Sequence, residues 1–435
     1  MATSTFDNLE GLCNKLLAEI QTLRSVDKDN DLLARRKATD IARELLNELI
    51  HPEEVAAEQA IALSEWASIR MYMKWKFFDK IPLDGSVSYH DLATSIGAEE
   101  ALVCTLIHFY LTHSWPTNLS ARMGQMLVST GKLLQPVPNH VAHSRLSVSY
   151  RTGDSIGASF AMHHDDFQSV GSSLPAYFDK YGPRLPRGKT HVPFCFPSGF
   201  AGQLTTWEVL ARQGKEHIEQ FGYAMQAMPN YAWPFTGAYD FTWVEEYAAA
   251  VPERPLIIDV GGSYGHALRA NLVKFPGIPP GRCVVEDRLE MIPSITEEHE
   301  NDSIMKDVQK VATDFHMEQP IKGALIYFIR RCIHDYDDDD CVEILKILAD
   351  SLPDDEPRAR ILINEQIVTD PPHRWVAAMD IIMMTFASAE RSEEQFRSLA
   401  GRASLDVVKI HKAEGATSMY LLSLLLPFSF CPVLE

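Results

Sequence analysis

The sequence predicts an α/β protein in which a doubly wound sheet follows a mainly helical N-terminal region. Three observations carry this. Beyond Pro255, short apolar runs alternate with stretches of helix length, as strands do with the helices that cross between them. The first run, residues 256–260, ends on the glycine turn Gly261-Gly262-Ser263-Tyr264-Gly265, and a helical stretch follows at once. In the N-terminal part, apolar residues recur at spacings of three and four, the mark of one helix face.

At 435 residues the chain is long enough for two or three domains and a substantial core. Hydrophobic residues are 46% and charged residues 23%, which excludes disorder and low-complexity classes. Forty basic against 59 acidic side chains leave a net charge of -19 and no basic patch, so neither nucleic acid nor an anionic membrane surface is expected as a partner. The seven cysteines are scattered without a CxxC pair, which argues for reduced thiols and a cytoplasmic location. The N-terminus has neither the basic flank nor the continuous apolar run of a signal peptide. The uncharged tail 419–434 is broken by Pro427 and reads as packed strand or turn, not as a membrane span.

Leu9, Leu12, Leu16, Ile20 and Leu23 form an apolar stripe on the first helix. It either faces a local core or buries itself on a second subunit; the second is favoured, because a terminal helix needs an anchor. Helical patterning continues over 46–111 with a break at 81–85, and Ser88 is placed to cap a short helix that turns at Gly97. Helix, turn, helix and a wing near 140–149 make a winged-helix pattern. Its second helical stretch, AEEALVCTLIHFYL, has no Arg or Lys to meet phosphates, so the expected role is dimerisation and not DNA binding. Residues 114–138 read as irregular. The domains expected are 1–155, a helical dimerisation domain with the winged-helix-like segment; 156–235, a helical linker and substrate-pocket region dense in aromatic and Met residues; and 236–435, a cofactor-binding catalytic domain.

Within the last domain, LIIDV, CVVED, GALIYF, ARILINEQIV and LDVVKIHKA read as strands, with HALRANLVKF, DDDCVEILKILADSL and SEEQFRSLAGRAS as helices between them. The dinucleotide fingerprint G-x-G-x-x-G fails at Ser263 and His266. The segment from Asp259 to Gly265 instead follows acidic-x-Gly-x-Gly-x-Gly, the pattern of S-adenosylmethionine binding, with Ser263 at the middle glycine. Asp287 ends the second strand, where a carboxylate accepts from both ribose hydroxyls. Asp314 ends a further strand and is placed for the adenine amino group.

His334 follows the strand GALIYF, on the side of an open α/β sheet where ligands bind. Glu365, late in its strand, and Glu390, just before a helix, are candidates to fix the imidazole tautomer and stabilise its protonated form.

GGSYG, VVEDRLEMI, TDF, IRRCIHDYDDDDC, LINEQIV and AERSEEQFRSLA occur in this order. Together they resemble the S-adenosylmethionine-dependent O-methyltransferases of the caffeate and flavonoid type, particularly the fungal secondary-metabolite branch. The likeness runs over 46–419 and is most specific between 256 and 400. It implies a class I methyltransferase Rossmann-like sheet behind a winged-helix-like dimerisation domain, a homodimer, and methyl transfer to a hydroxyl of an aromatic or polyketide-like metabolite. Carried over by motif, it makes His334 the general base, oriented by Glu365 and Glu390. Asp259, Gly261, Gly262, Gly265, Asp287, Arg288, Asp314, Phe315 and Arg330 become the contacts of S-adenosyl-L-methionine. No metal is expected: the His/Glu group does the work a cation does elsewhere, and the acidic run from Asp337 caps the helix after it. Some fungal relatives bind the cofactor without spending its methyl group and steer pericyclic or dehydration chemistry; retention of His334 with both glutamates favours methyl transfer. Two departures stand out: segment 114–138 is longer than the family's usual link, and the tail after Met419 stands in place of the usual short final strand.

Overall fold

The computed structural model describes residues 5–25, 31–98, 122–232, 239–412 and 419–426. The chain divides into two compact units, 1–152 and 153–435.

The first unit begins with the helices Thr5–Ser25, Asp31–Leu49 and Pro52–Lys74. The first packs along the second and buries Leu12, while Leu17 and Ile20 stay exposed. Part of the stripe is thus used inside its own unit. Pro52 at the first helical position and a capping box between His51 and Glu54 start the third helix. Its far end buries Ile69 and Tyr72 among Phe77 and Phe78, with Tyr72 and Phe77 edge to face at 5.1 Å.

Ser88 caps the short helix Tyr89–Thr94 through the Asp91 N–H, and Gly97 takes the left-handed turn at φ +65°. Strands β1 (Val87–Ser88), β2 (Leu133–Leu134) and β3 (His140–His143) form an antiparallel wing in the order β1-β3-β2. The second helix of the winged-helix pattern lies outside the described residues. Segment 114–138 is less irregular than its composition suggests. Its described part contains the helix Arg122–Ser129, which buries Leu127 completely, and β2. Met123, Met126 and Leu127 recur there at spacings of three and four, the mark of one helix face.

The second unit is built on a seven-stranded sheet: β4 (Ile257–Val260), β5 (Cys283–Asp287), β6 (Gln309–Ala312), β7 (Ile326–Arg330), β8 (Arg360–Gln366), β9 (Asp406–Lys412) and β10 (Met419–Leu425). The order is β6-β5-β4-β7-β8-β10-β9, parallel through β8, with β10 antiparallel to both neighbours. The tail therefore supplies the sheet's last strand, inserted between β8 and β9, and does not replace it. Successive side chains alternate between two cores, as the pleat requires. Ile258, Tyr327, Ile329, Ile361 and Ile363 face the helices Asp338–Ala349 and Glu393–Arg402, whereas Ile257, Ile326, Phe328 and Leu362 face Thr242–Ala250 and His266–Lys274. The chain runs outward from β4 to β5 and β6, then returns to β7 on the other side. That reversal opens a crevice at the carboxyl ends of β4 and β7, the usual ligand position in such sheets.

Helices Ser155–Met162, Gln168–Tyr181, Thr206–Ala211 and Lys215–Ala232 belong to the same unit. Much of the aromatic surplus is core: Val170, Val192, Phe194, Val209 and Leu210 cluster with Phe167 and Phe386 packed against them. The Phe194 N–H donates to Thr385 O at 3.0 Å, fastening this helical region to the turn that leads to Glu390. Trp233 and Phe235 lie outside the described residues. Among the described residues no helix is long and apolar enough to cross a membrane.

Candidate active site

The turn after β4 is fitted to its neighbours too closely for larger residues. Gly261 stands at φ +65°, and a Cβ there would lie 2.9 Å from Cys332 Sγ and 3.2 Å from the Phe315 ring. Gly265, at φ +69°, caps the helix His266–Lys274 with Met305 against it. Gly262 sits over the Asp259 carboxyl and donates its N–H to Glu286 O of β5 at 3.0 Å. Ser263, at φ +50°, donates its N–H to Asp287 Oδ2 at 2.8 Å, and the Arg288 N–H donates to Oδ1 at 2.8 Å. Each Asp287 oxygen keeps a lone pair for a further donor. Burial pushes this carboxyl up, against the pull of the two backbone N–H groups and the Arg288 charge.

Asp259 is buried at the end of β4, with Arg330 at the end of neighbouring β7 as the cation that acts on it. Burial pushes the Asp259 carboxyl up to about 7 despite that cation, and pulls Arg330 down to about 10. Asp259 Oδ2 has no hydrogen-bond partner. Phe315 leans on Gly261 and meets Tyr336 edge-on at 5.9 Å; Asp314 beside it accepts the His316 N–H at 3.0 Å. The structure thus gathers Asp259, Gly261, Gly262, Gly265, Asp287, Phe315 and Arg330 around one turn, with Asp314 on the same loop as Phe315. Arg288 contributes its backbone N–H, while its exposed guanidinium pairs with Glu290 at 3.4 Å. An orphaned buried acceptor, a strand-end carboxylate with spare lone pairs and a cradle a Cβ would fill suit a nucleoside that carries an ammonium group.

Beyond β7 the chain makes a short helical turn, Ile333–Asp335, that buries His334. His334 Nδ1 lies 2.9 Å from Glu390 Oε1. Glu365 does not reach the ring: its Oε1 accepts the His334 backbone N–H at 3.4 Å. One glutamate, not both, therefore touches the imidazole, because Glu365 points from β8 at the backbone of the turn. His334 Nε2 lies 3.4 Å from Asp335 Oδ1. Burial alone would raise the Glu390 carboxyl, but His334 and Arg331 together hold it at about 2. For His334, burial and the Arg331 charge act downward, and Glu365, Asp335 and Glu390 outweigh them, so the imidazole is raised above its ordinary value. Burial pushes Asp335 up to about 6.

Four supporting residues escaped the sequence reading. Arg331, at φ +55°, places Nη1 3.3 Å from Glu390 Oε1 and 3.6 Å from Glu365 Oε2. Asp335 was visible only as part of the motif around His334. Gln366, with its amide turned to satisfy both neighbours, donates to Glu390 Oε1 at 3.1 Å and accepts from Trp375 Nε1 at 3.2 Å. Arg391, buried, donates to Ile333 O at 3.1 Å, Tyr336 O at 2.8 Å and Asp338 Oδ1 at 2.9 Å, fixing the turn that carries His334. The doubled arginine after a buried strand was the one signal available for Arg331. His334, Glu365 and Glu390 present one donor atom each within 4.8 Å of one another, a spacing that admits a cation; the positive charge at the two carboxylates is the Arg331 guanidinium. The acidic run beginning at Asp337 caps the helix Asp338–Ala349, Asp337 accepting the N–H groups of Asp339 and Asp340.

A parallel sheet with one inserted antiparallel strand, a glycine turn at its point of reversal and a buried His-Glu pair one strand away define the class I methyltransferase architecture. A family model described as an O-methyltransferase domain matches residues 244–406. The methyltransferase cfoD of Aspergillus candidus is 44% identical over 414 residues, covering 94% of this chain and 97% of that protein. The crystal structure of OxaC in complex with SAH and oxaline superposes with a TM-score of 0.79 at 19% identity, covering 98% of this chain and 100% of that one. A structure described as a pericyclic reaction enzyme superposes with a TM-score of 0.77 at 19% identity, covering 96% and 100%. The chain belongs to the fungal secondary-metabolite methyltransferases of the O-methyltransferase-domain family.

Proposed function

We propose that the protein transfers a methyl group from S-adenosylmethionine to a hydroxyl of an aromatic or polyketide-like secondary metabolite, with His334 as general base. The contact of His334 Nδ1 with Glu390 Oε1 at 2.9 Å, in a buried turn beside the glycine loop, carries this reading. Bound S-adenosylmethionine supplies an electrophilic methyl group on a sulfonium. Asp287 holds the ribose hydroxyls, Asp259 receives the ammonium group with Arg330 beside it, and Asp314 and Phe315 bound the adenine. Ionised Glu390 accepts the Nδ1 proton, which leaves Nε2 as the proton acceptor for the substrate hydroxyl. A phenol of pKa about 10 is mostly un-ionised at neutral pH, so a positioned base is worth roughly 10²–10⁴ in rate. Positioning and exclusion of water supply most of the rest.

One observation supports a second reading. Three carboxylates favour the imidazolium form of His334, and a fixed cation in the pocket suits pericyclic or dehydration chemistry in which the methyl group is not spent. Incubation with methyl-labelled cofactor and a panel of phenolic and polyketide substrates separates the two: label is expected in the product. A substrate isomerised or dehydrated without label refutes methyl transfer and leaves the cofactor site standing.

We also propose a homodimer formed through the first unit. Phe6, Leu17, Leu46, Leu49 and Leu63 are exposed on its three long helices, apolar side chains that a second copy would cover. Sedimentation velocity is expected to show a species of twice the 48.9 kDa chain mass; a monomer at micromolar concentration removes the proposal.

A further inference from the structure

Arg331 occupies a constrained place. Its N–H continues the sheet by donating to Asn364 O of β8 at 3.2 Å, and its φ of +55° then turns the side chain back over the site. The guanidinium reaches Glu390 Oε1 at 3.3 Å, the same oxygen that His334 Nδ1 approaches at 2.9 Å. It also reaches Glu365 Oε2 at 3.6 Å, while Glu365 Oε1 accepts the His334 backbone N–H. Arg331 and His334 therefore share both carboxylates. Two buried carboxylates with no other cation would bind the imidazolium so firmly that its proton would leave with difficulty.

We propose that Arg331 is a positioning residue that competes with His334 for Glu365 and Glu390, and so keeps the imidazole able to lose and regain its Nε2 proton while holding Glu390 in line with Nδ1. The groups that face His334 are Arg331 beyond β7, Glu365 on β8, Glu390 before the last helix and Asp335 on its own turn, with Asp380 anchoring the Glu390 N–H at 3.0 Å. Among them Arg331 alone carries fixed positive charge. The proposal rests on His334 being the proton acceptor, and its test needs no substrate.

In protein labelled with ¹³C at histidine Cε1, the His334 signal is assigned by its loss in His334→Asn and followed against pH. Arg331→Asn keeps a residue tolerant of positive φ and removes the charge. The His334 midpoint is expected to rise by at least about one pH unit, a tenfold tighter hold on the proton, with the other histidines unmoved. Arg331→Lys is expected to return most of the shift. Arg331→Gly, which suits the same backbone, gives the identical readout if the Asn variant does not fold. An unchanged midpoint in a folded neutral variant, or one that Arg331→Lys moves as far as Arg331→Asn, overturns the proposal. If instead His334→Ala leaves methyl transfer intact, the general-base reading fails independently of this titration.

Discussion

His334→Ala is expected to lower kcat for methyl transfer by about two to four orders of magnitude while leaving the affinity for S-adenosylhomocysteine within about twofold of wild type. The imidazole lies on the turn after β7 and touches Glu390, whereas the glycine cradle and Asp287 lie at the ends of β4 and β5 and make their hydrogen bonds without it. The loss should shrink at alkaline pH, because a phenol of pKa about 10 begins to ionise unaided there. In the wild type the sign is set by the raised imidazole. Activity climbs as pH passes through the folded-state value, which lies above that of a free histidine, as His334 loses its proton. Stability runs the other way. The favourable charge of His334 contributes fully below the unfolded value of about 6.5 and is lost as pH rises through the folded value. Maximum turnover and maximum stability of this cluster therefore fall on opposite sides of one titration. Single-turnover rates and calorimetric binding of S-adenosylhomocysteine across pH check both halves; full turnover in the variant, or lost cofactor binding, defeats the assignment.

The strands were legible because parallel strands buried on both faces read as unbroken apolar runs, and LIIDV, CVVED and GALIYF each end where the chemistry begins. His334, Glu365 and Glu390 were legible as residue types at strand and loop ends, since the ends of parallel strands are where a sheet presents polar groups. Their mutual contacts were not. Which glutamate meets the ring depends on how β8 and the turn before residue 390 are aimed, and residues 334 and 390 are 56 positions apart. Arg331 was hidden for a different reason: neighbours in an extended strand point to opposite faces, and its positive φ changes the aim of its side chain. The final strand, Met419–Leu425, was legible only as packed strand or turn, because a strand inserted between β8 and the edge strand β9 leaves no period distinct from a packed tail.

Gly261→Ala is expected to cost the protein most of its cofactor affinity, at least about a hundredfold, with the sheet intact. Two penalties combine at this position. An alanine at φ +65° costs about 1–2 kcal/mol of backbone strain, and its Cβ would stand 2.9 Å from Cys332 Sγ and 3.2 Å from Phe315, an overpacking usually worth about 1–3 kcal/mol. Neither neighbour yields easily. Cys332 stands directly before the turn of His334, its half-buried thiol against Arg330 O and Gly261 O, while Phe315 is braced by Tyr336. The backbone is the softer partner, so the turn should shift, and with it the Ser263 N–H that holds Asp287 at 2.8 Å. The clash and the strain are separable. Adding Cys332→Ala removes the Sγ atom and should recover part of the affinity but not the share due to backbone strain, a coupling that a double-mutant cycle reads directly. Titration calorimetry with S-adenosylhomocysteine on the two single variants and the double supplies the cycle, and circular dichroism reports the sheet. Wild-type affinity in Gly261→Ala would show that the turn does not bind the cofactor; equal loss in the single and double variants would assign the whole effect to backbone strain and none to the contact with Cys332.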